Sequence, residues 1–309
     1  MKNKTQTILI FIGLALFSTL LKANDRADTH YPIVLVGWSF INFDHIGPID
    51  FFYKIPSTLI SEGATAFVST VSAAHSPEIR GTQLAEQIED IVAITGKEKV
   101  NLISISSGGL TARYTASAYP DLVASVTTIN AGHAGTPAAD IIMNTIDLLP
   151  QFMRKLIWKI GDKITRLIAW IAGDNLPMDT KALALNHTTA ESTKFNALYP
   201  EGKPTEYCGQ AENDVAENGV RYFAFAGSHH FTNWRDPADY ILALTQKLMD
   251  EPSDGVFGQC SSHWGNTIRD DLYLNHLDEA NHLFGLRSPR LNPLELFVGH
   301  ANRLKNMGL

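Results

Sequence analysis

The sequence has 309 residues, 45% of them apolar, and a formal net charge of −7. A chain of this size and apolar content can bury one large core, and its acidic balance argues against a nucleic acid as partner. The first 23 residues combine Lys2 and Lys4, an apolar stretch and a small-residue site ending at Ala23, a pattern typical of a signal peptide. A membrane anchor is the alternative, but the apolar stretch is shorter than the ~20 residues that a spanning helix needs.

We therefore expect export, and removal of the segment's three lysines lowers the net charge from −7 to −10. Cys208 and Cys260 are the two cysteines of the chain. In an exported protein, an even pair most simply forms one disulfide, here closing a long loop. Two separate buried thiols are the alternative.

Apolar runs that read as strands alternate with helical patterns along residues 24–309, and no repeat or linker interrupts them. The strands are predicted at YPIVLVGWSF, ATAFVSTVS, KVNLISI, LVASVTTIN and VRYFAFAG. Between the second and third, Leu84, Ile88, Ile91 and Val92 fall on one helical face before a stop at Gly96. Such alternation predicts a single α/β domain whose parallel sheet is covered by helices on both faces.

The stretch from Val100 to Gly109 predicts a strand, a tight turn and the start of a helix that stops at Pro120. This geometry is that of a nucleophile elbow, G-x-S-x-G, with Ser106 at the apex and Ser104 in place of the first glycine. A serine-rich loop without chemistry is the alternative. Ligands on parallel sheets bind beyond the carboxyl ends of the strands, where Ser106 would lie.

Residues 148–171 do not fit the sheet, because their apolar and basic side chains separate onto two faces of a long helix with Pro150 in its first turn. Trp158 and Trp170 lie in this segment. One interpretation is an ordinary helix that faces the core. The other is a mobile cover whose apolar face hides a fatty-substrate site and meets an oil–water interface when it opens.

A serine nucleophile needs a histidine to accept its proton and a carboxylate to orient that histidine. In α/β-hydrolases these follow in the order Ser, Asp, His, and the last third of the chain offers Asp254 and His276. Asp250 and His263 are the nearest competitors, and spacing alone does not choose among them. A zinc site is disfavoured, because no histidine stands in an H-E-x-x-H frame.

Several long blocks resemble the true lipases of Gram-negative bacteria, the Pseudomonas/Burkholderia-type triacylglycerol lipases. They are YPIVLV, EIRGTQL, KVNLI, PDLVAS, SDGVFGQCSSH, IRDDLYLNHLDEANHLFGL and HANRLKN. The resemblance implies an α/β-hydrolase fold with a mostly parallel central sheet and a helical lid at about residues 137–190. It further implies Ser106 as nucleophile, His276 as base, Asp254 as its orienting acid and a Cys208–Cys260 disulfide.

The resemblance also implies a structural Ca²⁺ near the catalytic histidine, held by Asp236 and Asp278 and by the main-chain carbonyls of His282 and Leu286. Hard oxygen ligands of this kind suit Ca²⁺. Export through the periplasm to the extracellular medium, with a membrane-anchored foldase as folding partner, is a further implication of the family.

The sequence departs from this family where the two backbone N–H donors of the oxyanion hole are expected. The family has His-Gly after the first strand, whereas VLVGWSFIN has no histidine there and a longer loop, so the first donor falls at Trp38, or at Ser39 if the gap is shifted. Ser107 is the expected second donor, and relatives carry histidine at that position. We expect a secreted triacylglycerol lipase that hydrolyses long-chain acylglycerols. A short-chain carboxylesterase or thioesterase, or a catalytically impaired lipid-binding relative, is the alternative.

Overall fold

The computed structural model describes residues 24–39, 45–46, 49–171, 173 and 175–309, so the predicted signal peptide lies outside it. The central sheet contains six strands, namely β1 (Ile33–Val36), β4 (Ala66–Val68), β5 (Val100–Ile105), β6 (Val123–Ile129), β7 (Arg221–Gly227) and β8 (Asn266–Leu272). They lie in the order β4-β1-β5-β6-β7-β8, and every neighbouring pair is parallel. Two short strands, β2 (His45–Ile46) and β3 (Ile49–Asp50), pair separately and antiparallel.

All five strands predicted from the sequence are present in the central sheet, and β8 is its sixth strand, which the sequence did not predict. Its burial alternates along its length, and its exposed positions carry charged side chains such as Asp271. Charged residues on an edge strand discourage pairing with another chain, and they also weaken the apolar signal by which strands are recognised in a sequence.

Ten helices are described, and they account for most of the connections between strands. They are α1 (Ile55–Ser61), α2 (Pro77–Thr95), α3 (Gly108–Ala118), α4 (Pro137–Asp147), α5 (Gln151–Ile171), α6 (Thr180–Asn186), α7 (Thr189–Leu198), α8 (Pro237–Thr245), α9 (His282–Gly285) and α10 (Pro293–Asn306). As predicted, α2 buries Leu84, Ile88 and Ile91 and ends at Gly96, whose φ of 65° closes the helix.

Side chains alternate between the two faces of the sheet, and each face has its own apolar cluster. On one side Ile33 and Leu35 of β1 pack with Phe297 of α10. On the other side Val34 of β1 packs with Leu84 of α2. The parallel sheet is therefore buried on both faces, as the continuous apolar character of its central strands indicates.

Cys208 and Cys260 form the disulfide that the sequence predicts, and it spans 52 positions of the chain. Across the described residues, no helix has both the length and the apolar character needed to cross a bilayer.

Candidate active site

The predicted elbow lies at the carboxyl end of β5, in the turn that leads into α3. Ser106 has a φ of 53°, a left-handed conformation that residues other than glycine rarely adopt. Its N–H donates to the carbonyl of Ile129 at 3.0 Å, and its own carbonyl accepts the N–H of Gly109 at 2.9 Å. Ser104, in the place of the motif's first glycine, is fully buried and donates its hydroxyl to the carbonyl of Thr127 at 2.8 Å. A serine is therefore accommodated there, because its hydroxyl has a buried partner.

Ser106, His276 and Asp254 come together although they are far apart in the sequence. Ser106 Oγ lies 2.9 Å from His276 Nε2, and His276 Nδ1 lies 2.6 Å from Asp254 Oδ2. The other carboxylate oxygen of Asp254 accepts the N–H groups of Val256 and Phe257, both at 2.7 Å. A nucleophile, a base and an orienting acid require this chain of hydrogen bonds.

Asp250 and His263, the alternative candidates for the acid and the base, do not contact Ser106 or His276. Asp250 is exposed. His263 Nε2 lies 3.0 Å from the carboxylate of Asp270, and its Nδ1 lies 3.1 Å from the carbonyl of Gly209. Both nitrogens of His263 therefore have partners that leave no role for it beside Ser106.

Glu279 is a buried acid beside the histidine that sequence analysis did not anticipate. Its Oε1 lies 3.7 Å from His276 Nδ1. Burial, and after it the charge of Asp254, raises the pKa of Glu279 well above its ordinary value. Within the described residues, Asp254, His276 and Glu279 are the one group of three side chains with metal-ligand chemistry in mutual reach. No histidine other than His276 belongs to such a group among the described residues.

A cavity of ≈ 340 Å³ opens beside Ser106. Leu183, Val256, Phe257 and Leu277 contribute to a mostly apolar lining. Such a lining suits an acyl chain, since burying apolar surface is favourable and the cavity offers few polar partners.

The loop after β1 and the start of α3 are joined by a buried polar cluster around Arg80. Arg80 Nη1 donates to Ser39 Oγ at 2.9 Å, and Nη2 donates to the carbonyls of Gly37 and Trp38, both at 3.3 Å. The hydroxyls of Ser39 and Ser107 are 2.6 Å apart. Burial lowers the pKa of Arg80 to about 10, which leaves the guanidinium charged at neutral pH. The two segments that carry the expected oxyanion donors are thus fastened to one cation.

The side chain of Trp38 lies directly against that of His276. Its ring stacks on that of His276 with centroids 5.4 Å apart and planes 13° from parallel. Trp38, Ser39 and Ser107 all line the cavity together with Ser106. The backbone at either Trp38 or Ser39 therefore borders the site, and the choice between them stays open.

The long amphipathic helix α5 does not turn its apolar face to the core. Phe152 and Trp170 are 70% and 72% exposed. The helix packs instead through small residues, since Thr165 and Ala169 are its buried positions. The core-facing interpretation is therefore wrong.

Contacts with α6 hold α5 in place. Asp162 Oδ1 accepts both the N–H of Thr180, at 2.8 Å, and its hydroxyl, at 2.5 Å. A side chain at Gly161 would collide with Thr180, because a Cβ there would lie 2.7 Å from the threonine hydroxyl oxygen. Leu183 of α6 in turn lines the cavity. Helix α6 therefore connects α5 to the cavity beside Ser106.

The two acids expected to hold Ca²⁺ are buried, and Asp278 follows His276 by two residues. Asp236 and Asp278 are each 1% exposed. Burial raises the pKa of Asp236, and it raises that of Asp278 to about 6; in both cases the charge of Asp239 adds to the effect. A divalent cation held by Asp236 and Asp278 would offset the negative charge of Asp239 that both carboxylates feel. His282, whose carbonyl is the next expected ligand, is half-buried with its ring 5.6 Å from that of Trp38.

Leu286, the remaining expected ligand, follows directly after α9 and is half-buried. Asp278 accepts hydrogen bonds from the Thr232 hydroxyl at 2.8 Å and from the N–H of Ser288 at 3.2 Å. Asp278 thus joins the loop before α8 to the loop after β8.

Comparison with known proteins agrees with this architecture. A family profile described as the alpha/beta hydrolase fold matches residues 65–192. Among solved structures, a Bacillus licheniformis lipase in mature form superposes with a TM-score of 0.55 at 16% identity, covering 82% of this chain and 89% of that one. A metagenomic carboxyl esterase superposes with a TM-score of 0.60 at 13% identity, covering 90% and 76%. The fold and the site define an α/β-hydrolase.

Relatives of similar sequence identify the family within the α/β-hydrolases. A triacylglycerol lipase of Vibrio cholerae is 42% identical over 98% of this chain and 99% of its own length. Triacylglycerol lipases of Pseudomonas fragi and Burkholderia plantarii are 34% and 30% identical, each over 93% of this chain and over 100% and 89% of their own lengths. The chain belongs to this family of bacterial triacylglycerol lipases and is a carboxylic ester hydrolase.

Proposed function

We propose that the protein is a secreted lipase that hydrolyses long-chain acylglycerols through an acyl-enzyme formed on Ser106. The observation that carries the proposal is the hydrogen-bonded series from Ser106 Oγ to His276 at 2.9 Å and from His276 to Asp254 at 2.6 Å. The apolar cavity and the exposed apolar side chains of α5 support a lipid substrate over a small polar one.

In the first half-reaction His276 Nε2 accepts the Ser106 proton as Oγ attacks the ester carbonyl. Asp254 keeps the Nδ1 proton of His276 in place and stabilises the imidazolium. The backbone N–H of Ser107, at the positive end of α3, and that of Trp38 or Ser39 stabilise the oxyanion. His276 then returns the proton to the leaving alcohol, and water repeats the sequence to release the fatty acid.

Covalent labelling with a fluorophosphonate tests the nucleophile. Ser106→Ala should lose both the adduct and ester turnover, while Ser104→Ala, its matched control two positions earlier, should keep the adduct because Ser104 contacts the Thr127 carbonyl instead. Retention of full turnover by Ser106→Ala would refute the mechanism. The absence of an adduct on Ser106 in the folded, unaltered protein would favour a lipid-binding role.

The acyl-chain length of the preferred substrate distinguishes the proposed lipase from a short-chain esterase. An emulsified long-chain triacylglycerol should be hydrolysed faster than a soluble butyrate ester, because α5 presents apolar surface to an interface. A preference for the soluble ester, without activation by emulsion, would favour the esterase.

A structural Ca²⁺ at Asp236 and Asp278, with the carbonyls of His282 and Leu286, belongs to the same proposal. The ion would neutralise buried carboxylates and tether the loop that carries His276, without taking part in the reaction. Chelation should lower the melting temperature, Ca²⁺ should restore it, and Asp278→Asn should be insensitive to both. A melting temperature that chelation leaves unchanged would argue against the ion.

Export and assisted folding complete the proposal. We expect cleavage after Ala23, an extracellular product, and a need for a foldase of the kind that the family uses. The amino-terminal sequence of the protein in the culture medium tests the first point. Expression of fully active enzyme without the helper would argue against the second.

A further inference from the structure

The exposed side of α5 carries two surfaces that run next to each other along the helix. Leu156, Ile160, Ile164 and Leu167, here called the apolar stripe, are 53%, 47%, 54% and 56% exposed. Lys155, Lys159, Lys163 and Arg166, here called the basic row, are also exposed. Intervals of four, four and three residues place the members of the basic row on one line of the helix surface.

The side chains of the basic row form no ion pair with any residue that the structure describes. Among the described residues none of its four members has an ion-pair partner, whereas Arg154, on the other side of the helix, pairs with Asp147 at 3.3 Å. The acid within α5, Asp162, is occupied by Thr180 of α6. The row is therefore a positive strip, without an ion pair among the described residues, on a chain whose net charge is −7.

We propose that α5 docks the enzyme on an anionic phospholipid surface, with the apolar stripe inserted between the lipids and the basic row lying against their headgroups. The inference rests on the proposed function, in which the enzyme acts at a lipid surface. A neutral surface would need only the stripe. An amphipathic helix binds anionic lipids through buried apolar area and through basic side chains at headgroup level. The acidic remainder of the chain would be repelled by the same surface, so the strip also determines which side of the molecule faces it.

Flotation of the full-length protein with phosphatidylcholine vesicles, with and without phosphatidylglycerol, tests the proposal. Phosphatidylglycerol should strengthen binding, and salt should weaken the gain. Lys159→Gln/Lys163→Gln should lower the partition coefficient on anionic vesicles by roughly 30-fold and leave binding to neutral vesicles near that of the unaltered protein. The charge-matched control Lys203→Gln/Lys247→Gln, at exposed lysines outside the lid, should bind anionic vesicles as the unaltered protein does.

Ile164→Ser should weaken binding to both kinds of vesicle, which separates the stripe from the row. Equal binding of the unaltered protein to neutral and anionic vesicles would overturn the proposal, as would a double lysine variant that floats like the unaltered protein. Sedimentation that reports a dimer broken by Ile164→Ser, without vesicle binding, would assign α5 to a second copy of the chain. Each of these failures leaves Ser106 labelling and triacylglycerol turnover intact, so they are distinguishable from failure of the proposed function.

Discussion

The backbone at Ser106 is strained, and this conformation directs the Ser106 hydroxyl toward His276. A left-handed conformation costs a non-glycine residue roughly 1–2 kcal/mol. It persists here because two backbone hydrogen bonds, to Ile129 and from Gly109, fix the peptide groups on either side. The same turn that places Ser106 Oγ at His276 leaves the N–H of Ser107 at the start of α3.

Asp254→Asn should abolish most turnover while leaving the fold intact. The amide oxygen of asparagine can still accept the hydrogen bonds from the N–H groups of Val256 and Phe257. In that orientation the NH₂ group of the asparagine points at His276 Nδ1. That arrangement favours the tautomer with the proton on Nε2, which cannot accept the serine proton. A fall in kcat of about 10⁴-fold is expected, measured with a soluble ester.

Glu279→Gln is the matched control for that substitution. Burial raises the pKa of Glu279 well above its ordinary value and so favours the neutral carboxyl. An amide of the same shape should therefore change kcat far less than Asp254→Asn does. A loss as large as that of Asp254→Asn would show that the carboxylate form of Glu279 acts beside His276.

Arg80 is a positioning residue for the oxyanion donors, because it holds Ser39 and the Gly37 and Trp38 carbonyls in one cluster. Arg80→Met should lower kcat by about 10-fold or more, since misplacing a single donor costs up to 10²–10³-fold, with KM little changed. The methionine side chain leaves the carbonyls of Gly37 and Trp38 without this donor, so the melting temperature should fall as well. A fall in melting temperature with kcat unchanged would mean that Arg80 serves stability alone, and recovery of kcat in Arg80→Lys would confirm the role of its charge.

At the scale of elements, the site depends on how closely α3 approaches β1. A Cβ at Gly108 would lie 2.6 Å from the carbonyl oxygens of both Val36 and Gly37. Backbone atoms cannot move aside as flexible side chains can. The helix that begins at the elbow therefore requires glycine for space, quite apart from backbone conformation.

Gly108→Ala and Gly299→Ala form a matched pair of helix substitutions with opposite expected outcomes. Gly299, in α10, has open space around its missing Cβ, so alanine should stabilise the protein by about 0.5–1 kcal/mol. Gly108→Ala should lower the free energy of unfolding and fluorophosphonate labelling together. Chemical denaturation measures the first effect, and similar stability changes in the two variants would contradict the packing argument.

At the scale of the whole molecule, one covalent link and several buried histidines set how stability responds to conditions. The Cys208–Cys260 disulfide closes a loop of 52 positions. Cys208→Ser/Cys260→Ser should therefore lower the free energy of unfolding by about 2–5 kcal/mol. A reductant should bring the unaltered protein to the melting temperature of the variant and leave the variant unchanged. Equal stability of the two proteins under oxidising conditions would contradict this.

His300 joins α10 to the sheet and should make stability depend on pH. Its Nε2 lies 2.6 Å from the hydroxyl of Thr127 on β6, and burial lowers its pKa to about 3. The unfolded chain protonates this histidine near its ordinary pKa of 6.5, so the stabilising contribution is complete above that value and is lost as the pH falls toward 3.

His300→Gln should accordingly be less stable at neutral pH and should lose less stability on acidification. Between about pH 6 and pH 4, the slopes of unfolding free energy against pH should differ by about 1.4 kcal/mol per unit. Denaturation at a series of pH values measures both slopes, and parallel slopes would rule out this histidine as the cause.

The alternation of apolar strands and amphipathic helices sufficed to predict the parallel sheet, because burial on both faces leaves a continuous apolar signal. The elbow at Ser106 was likewise predictable, since strand, turn and helix are local in sequence. The acid and the histidine that partner Ser106 could not be predicted from spacing, which left Asp250 and His263 as competitors. The resemblance to bacterial lipases selected Asp254 and His276 instead. Arg80 and Glu279 carried no sequence signal, since their importance lies in buried contacts.

The sequence by itself determined where the strands and the long helix lie, and it marked one serine for chemistry, because backbone propensity and apolar periodicity act over neighbouring residues. Only the tertiary structure decided which acid and which histidine meet that serine, which cation fastens the oxyanion segments, and which way α5 faces. Those outcomes depend on distances between segments remote in the chain, and they are fixed when the strands align and their carboxyl ends meet at one edge of the sheet.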